Sequence, residues 1–125
     1  MRVLLIEDDA LVRTALSETL AKEGIEVDGL ASAEDALVLI GAGQVPDVLV
    51  ADINLGPGLN GVDLAAIARE RHPAIEVILI SGIAPEHRQN PLSRRERFLQ
   101  KPFAPAVLAE AIRSAATAAS ARAAA

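Results

Sequence analysis

Four apolar runs in this chain lead into residues equipped for chemistry. Val3-Leu4-Leu5-Ile6 stops at Glu7-Asp8-Asp9, Val48-Leu49-Val50-Ala51 at Asp52, and Val77-Ile78-Leu79-Ile80 at Ser81, while the short Phe98-Leu99 is followed closely by Lys101. Acids gathered at one place repel: two carboxylates ~4 Å apart at an effective dielectric of about 20 cost about 4 kcal/mol. That equals roughly three pK units, enough for one carboxyl to keep its proton unless a cation is supplied. A hard divalent ion relieves the repulsion, and an all-oxygen site that keeps several waters suits Mg²⁺ or Mn²⁺. On this reading Glu7 and Asp8 form half of a metal site, Asp52 supplies the rest, and the Lys101 ammonium balances the charge. Asp9 reads instead as a helix N-cap.

These residues meet only if the elements that carry them end at one edge. Runs apolar on both faces are the mark of parallel strands covered by helices on each side. In such sheets ligands bind beyond the carboxyl ends of the strands, where strand order reverses. Ile25–Leu30 alternates and suits an edge strand. Between the strands lie helical patterns. Ala10–Lys22 places Val12, Ala15, Leu16, Thr19 and Leu20 on one face, with Gly24 as its stop. Ser32 with Asp35 opens a second helix, Asn60-Gly61 a third, and Pro105 the first turn of the last. The alternation predicts a doubly wound, flavodoxin-like α/β fold. The stretch Gly82–Arg97, "GIAPEHRQNPLSRRER", holds two prolines and few apolar residues where a crossover helix is due, so it is expected to be short or irregular. Residues 1–125 form one domain, and the alanine-rich stretch 114–125 is expected to fray for want of anything to bury.

Composition narrows the function. The chain has 125 residues, no cysteine, no Trp or Tyr and only two Phe. Disulfides and thiolate metal sites are thereby excluded, and neither His72 nor His87 has a partner at zinc spacing. The N-terminal apolar run is too short for a signal peptide or a membrane span, so a cytoplasmic location away from the membrane is expected. A net charge of −5 argues against direct nucleic-acid binding.

The motifs "LLIEDDALVR", "DVLVADINL", "GLNGVDLA", "VILISG" and "FLQKPF" together resemble the receiver domain of two-component response regulators, over essentially the whole chain. The resemblance implies a five-stranded parallel sheet in the order 2-1-3-4-5. It implies that Asp52 accepts a phosphoryl group from the phosphohistidine of a sensor histidine kinase or histidine phosphotransfer protein. It further implies that Asp8 binds Mg²⁺ directly, that Glu7 does so through water, and that the Asn54 backbone carbonyl completes the ligands. Ser81 is then the switch hydroxyl, Lys101 the lysine that pairs first with the aspartate and then with the phosphoryl oxygens, and Phe98 the aromatic switch position. The same resemblance suggests a cis bond before Pro102. Phe103 reads as core packing, and Phe98 as core or switch.

The chemistry agrees with these roles, since phosphoryl transfer requires in-line positioning and neutralised charge above all. The domain is therefore expected to catalyse its own phosphorylation without being a turnover enzyme, and to act on a downstream protein. With no output domain in this sequence, a stand-alone regulator and a receiver from a hybrid histidine kinase both fit. A small Mg²⁺-dependent phosphohydrolase is a rival, but such enzymes place a general acid two residues after the nucleophile, where this chain has Asn54.

Overall fold

The computed structural model describes residues 1–82 and 96–124, with side chains to residue 121. Its elements are β1 (Val3–Ile6), α1 (Ala10–Lys22), β2 (Val27–Leu30), α2 (Ala33–Gly41), β3 (Val48–Asp52), α3 (Gly61–Arg71), β4 (Glu76–Ser81), β5 (Glu96–Gln100) and α4 (Pro105–Ala124). The strands form one parallel sheet in the order β2-β1-β3-β4-β5, as the resemblance implies. The expected short or irregular helix between β4 and β5 falls on residues 83–95, outside the described residues. Glu96 and Arg97, read from sequence as part of that stretch, belong to β5.

Alternation along the strands builds two apolar layers. Leu4, Ile6, Leu49, Ala51, Val77 and Leu79 pack against Ala36 and Ile40 of α2 and Leu64 and Ala68 of α3. Val3, Leu5, Val48, Val50, Ile78 and Ile80 face the other way, against Leu20 of α1 and Leu108 and Ile112 of α4. β1, β3 and β4 are therefore buried on both faces, which is why Val3–Ile6, Val48–Ala51 and Val77–Ile80 are apolar without interruption. β2 is the edge strand, with Asp28 and Gly29 exposed.

The helix ends follow the capping residues. Asp9 Oδ1 accepts the N–H groups of Leu11 (2.9 Å) and Val12 (3.2 Å), and Ser32 Oγ accepts that of Asp35. Asn60 and Asp63 form a reciprocal capping box at the start of α3. α1 closes with Gly24 N–H on Ala21 O and Ile25 N–H on Leu20 O. This closure requires the left-handed backbone that Gly24 adopts at φ +80°.

The sheet decides how much of α1 and α4 is buried. α1 buries Leu20 and half-buries Leu16 and Thr19, but Ala15 is exposed and Val12 is 38 % exposed. The seam against the sheet is narrower than the apolar pattern, because Arg13 and Ser17 lie over Gly29 of β2. At the other end, α4 stays helical through Ala124, and Ala115 is buried in the second layer. The sheet extends far enough beneath α4 to give small side chains past residue 114 something to cover.

Candidate functional site

β3 delivers Asp52 as its last residue, and the carboxylate is buried. Its Oδ1 accepts the backbone N–H of Asn54 at 2.8 Å. Its Oδ2 is ion-paired with Lys101 Nζ. Lys101 directly follows β5 and is fixed there by its own N–H donating to Ser81 O at 2.8 Å. The Lys101-Pro102 bond is cis. Partial burial pulls the lysine's pKa down, but its hydrogen bond to Asp52 and the charges of Asp52, Glu7 and Asp8 outweigh this and raise it.

Glu7, the first residue past β1, is also buried. Its pKa is pushed up to about 7, first by burial and then by the neighbouring Asp52 carboxylate. The backbone around Glu7 is held on two sides. Its N–H donates to Leu30 O, and its carbonyl accepts Arg13 Nη1 at 2.7 Å. Asp8 is exposed at the rim and faces the loop after β3, where a Cβ on Gly56 would lie 3.4 Å from Asp8 Oδ2. Ser81 is buried at the end of β4, one residue past Ile80, the register partner of Asp52.

The sheet edge thus gathers Glu7, Asp8, Asp52, Ser81 and Lys101. Asn54 is exposed and takes part through its backbone. Phe98 lies one strand away on β5, opposite Leu79, half-buried against the α2/α3 layer. Phe103 packs on the opposite layer. Among the described residues no three carboxylate or imidazole side chains converge closely enough to hold a metal ion by themselves. The inner, buried pair is Glu7 and Asp52, with Lys101 ion-paired to Asp52.

Gly61 shows how tightly the loop after Asp52 is drawn in. A Cβ there would stand 2.4 Å from the Asp52 carbonyl oxygen. Two contacts had no counterpart in the sequence reading: Arg13 on Glu7 O, and Glu34 of α2 on the backbone N–H of Leu59 at 3.0 Å. Glu34 reads from sequence only as a first-turn acid. The Gly56-Pro57-Gly58 run was the available hint that a neighbour crowds this loop.

The family profile for the response regulator receiver domain matches residues 3–113. Over 104 residues the chain is 36 % identical to the response regulator protein FleR of Pseudomonas aeruginosa, covering 82 % of this chain and 22 % of that protein. It is 33 % identical over 114 residues to the sensor kinase CckA of Brucella abortus, covering 89 % of this chain and 12 % of the kinase. The chain therefore spans under a quarter of either relative. A response regulator receiver protein from Sinorhizobium medicae superposes with a TM-score of 0.86 at 28 % identity, covering 95 % of this chain and 96 % of that one.

Proposed function

Because the chain belongs to the response regulator receiver domain family of two-component signalling, we propose that Asp52 is its phosphoacceptor. The phosphoryl group comes from the phosphohistidine of a sensor histidine kinase or histidine phosphotransfer protein. The observation that carries the reading is the Asp52 carboxylate, buried at a strand end and ion-paired with Lys101, with Glu7 also buried at that sheet edge.

An Asp52 oxygen attacks phosphorus in line. The O–P bond forms as the P–N bond breaks, and the electron pair of that bond returns to the imidazole nitrogen. Lys101 turns from the carboxylate to the new phosphoryl oxygens and offsets their charge. The Ser81 hydroxyl donates a hydrogen bond to them, and the space it leaves lets Phe98 turn inward. This shifts the population of a two-state surface that a downstream protein reads.

The donor set fits Mg²⁺ (or Mn²⁺): Asp8 and Asp52 as carboxylate ligands, the Asn54 carbonyl as a third oxygen, and Glu7 through water. Mg²⁺ keeps much of its water shell and is held by one or two carboxylates plus phosphate oxygens, so a three-carboxylate cage is not required. When bound, it supplies charge neutralisation on the transferring oxygens.

The partners are proteins, and the net charge of −5 favours no direct contact with nucleic acid. Among the described residues no helix is long and apolar enough to cross a membrane, and we place the domain in the cytoplasm. The similarity to CckA supports a second reading with the same chemistry, in which the domain is the receiver of a hybrid histidine kinase.

The test is incubation with acetyl phosphate and Mg²⁺. An acid-stable, base-labile, stoichiometric adduct that is absent from Asp52→Ala and absent with EDTA supports the phosphoacceptor. Continuous phosphate release at many turnovers would make the protein a phosphohydrolase instead. No adduct would leave it a binding module.

A further inference from the structure

Residues 53–60 join the phosphoacceptor strand to α3 and carry the Asn54 carbonyl. Their shape requires glycine at two places: Gly56 and Gly58 both take left-handed backbone, at φ +76° and +95°. Among the described residues, two bonds tie this loop to elements that do not flank it, Ile53 N–H to Ile80 O at 2.9 Å and Leu59 N–H to Glu34 Oε2 at 3.0 Å, and the second is made by a side chain. Glu34 lies in the first turn of α2, twenty-five residues earlier in the chain. Its carboxylate occupies the space beside Gly58 where a side chain would go, since a Cβ there would stand 2.7 Å from Oε2.

We infer that Glu34 is a positioning residue for the phosphoacceptor loop. Its carboxylate, placed favourably at the α2 N-terminus, holds the Leu59 amide. It thereby sets the loop so that the Asn54 carbonyl and the Gly56 backbone beside Asp8 stand ready for the cation. A first-turn acid serving its own helix alone would not need the Leu59 amide. The inference rests on the reading of Asp52 as a Mg²⁺-dependent phosphoacceptor. Partners that orient a ligand without touching the metal change its affinity by about 10- to 100-fold. Glu34 is exposed, so the lower end applies.

The experiment uses the full chain as wild type, Glu34→Ala and Glu34→Gln. Two readouts are taken: amide hydrogen exchange at Leu59 without metal, and adduct formation from acetyl phosphate as a function of Mg²⁺ concentration. Glu34→Ala is expected to speed Leu59 exchange and to raise the half-saturating Mg²⁺ concentration about tenfold, leaving the rate at saturating Mg²⁺ unchanged. Glu34→Gln keeps an acceptor oxygen and should recover most of both effects. Unchanged Leu59 exchange, or an unchanged Mg²⁺ dependence alongside a lowered saturated rate, would overturn the inference. If wild type forms no adduct, the phosphoacceptor reading fails, and the exchange arm alone decides whether Glu34 holds the loop.

Discussion

Lys101 and Asp52, forty-nine residues apart in sequence, form an ion pair at the carboxyl edge of the sheet. The pair is held from both sides, through the strand end that carries Asp52 and through the Lys101 amide bonded to Ser81 O. Replacing the ammonium by an apolar chain of similar reach leaves Glu7 and Asp52 without a counter-ion. Lys101→Met is expected to slow adduct formation from acetyl phosphate by about 100-fold at saturating Mg²⁺, the scale for loss of one preorganised charge stabiliser. Quenched-time assays of the base-labile adduct measure this directly, and a rate within threefold of wild type would remove Lys101 from the chemistry.

Glu7 gives the metal-free protein a pH dependence of definite sign. Its carboxyl releases a proton near 4.5 when unperturbed and at about 7 in the fold. Between those values the folded state holds a proton that the unfolded chain has lost. The contribution of Glu7 to stability is therefore fullest below about pH 4.5, declines as pH rises to about 7, and then levels off. Glu7→Gln removes this decline. Allowing for solvent screening at the edge, it should stabilise the metal-free protein at pH 8 by on the order of 2 kcal/mol relative to wild type. Urea unfolding in EDTA at pH 5 and pH 8 checks it, and equal slopes for the two proteins would contradict it.

Gly61→Ala places a methyl against the backbone of Asp52 rather than against a side chain free to yield. The strand end or the α3 N-terminus has to shift, at a cost of about 3 kcal/mol. Urea denaturation gives the stability, and the adduct assay run under folding conditions should also slow because Asp52 moves. A variant as stable as wild type would mean that the loop has room that these distances deny.

Arg13 crosses over β2 to reach the Glu7 carbonyl, and Gly29 leaves space for its stem: a Cβ there would lie 3.1 Å from Arg13 Cγ. Arg13→Ala is expected to cost about 1–2 kcal/mol through the lost charged hydrogen bond. Gly29→Ala should cost about 1 kcal/mol in wild type and become neutral or stabilising in the Arg13→Ala background, where the stem is gone. A double-mutant cycle in urea reads the coupling, and additive effects would refute it.

The strands and the residues that end them were legible because burial on both faces leaves an uninterrupted apolar signature, broken where the chain reaches solvent. Asp52 and Ser81 each follow such a run, and Lys101 follows the shorter Phe98-Leu99 pair. Glu76 opens β4 although its charge hid it, since it is buried beside Arg97 at 3.7 Å, a pairing no local pattern encodes. Arg13 on Glu7 O and Glu34 on Leu59 N–H escaped for the same reason: each joins a side chain to backbone far away in sequence. The extent of α4 depends on how far the sheet runs beneath it, which alanines cannot reveal.

The short outer strand β2 has one further consequence. Its free margin is four residues long and bears Asp28 beside a glycine, with Glu26 just before it. A sixth strand laid along that margin would gain few ladder bonds and would bring its own side chains against carboxylates. The molecule thus discourages edge-to-edge pairing of one sheet with the next, and the acids that do this stand apart from Glu7 and Asp52 at the carboxyl ends of β1 and β3.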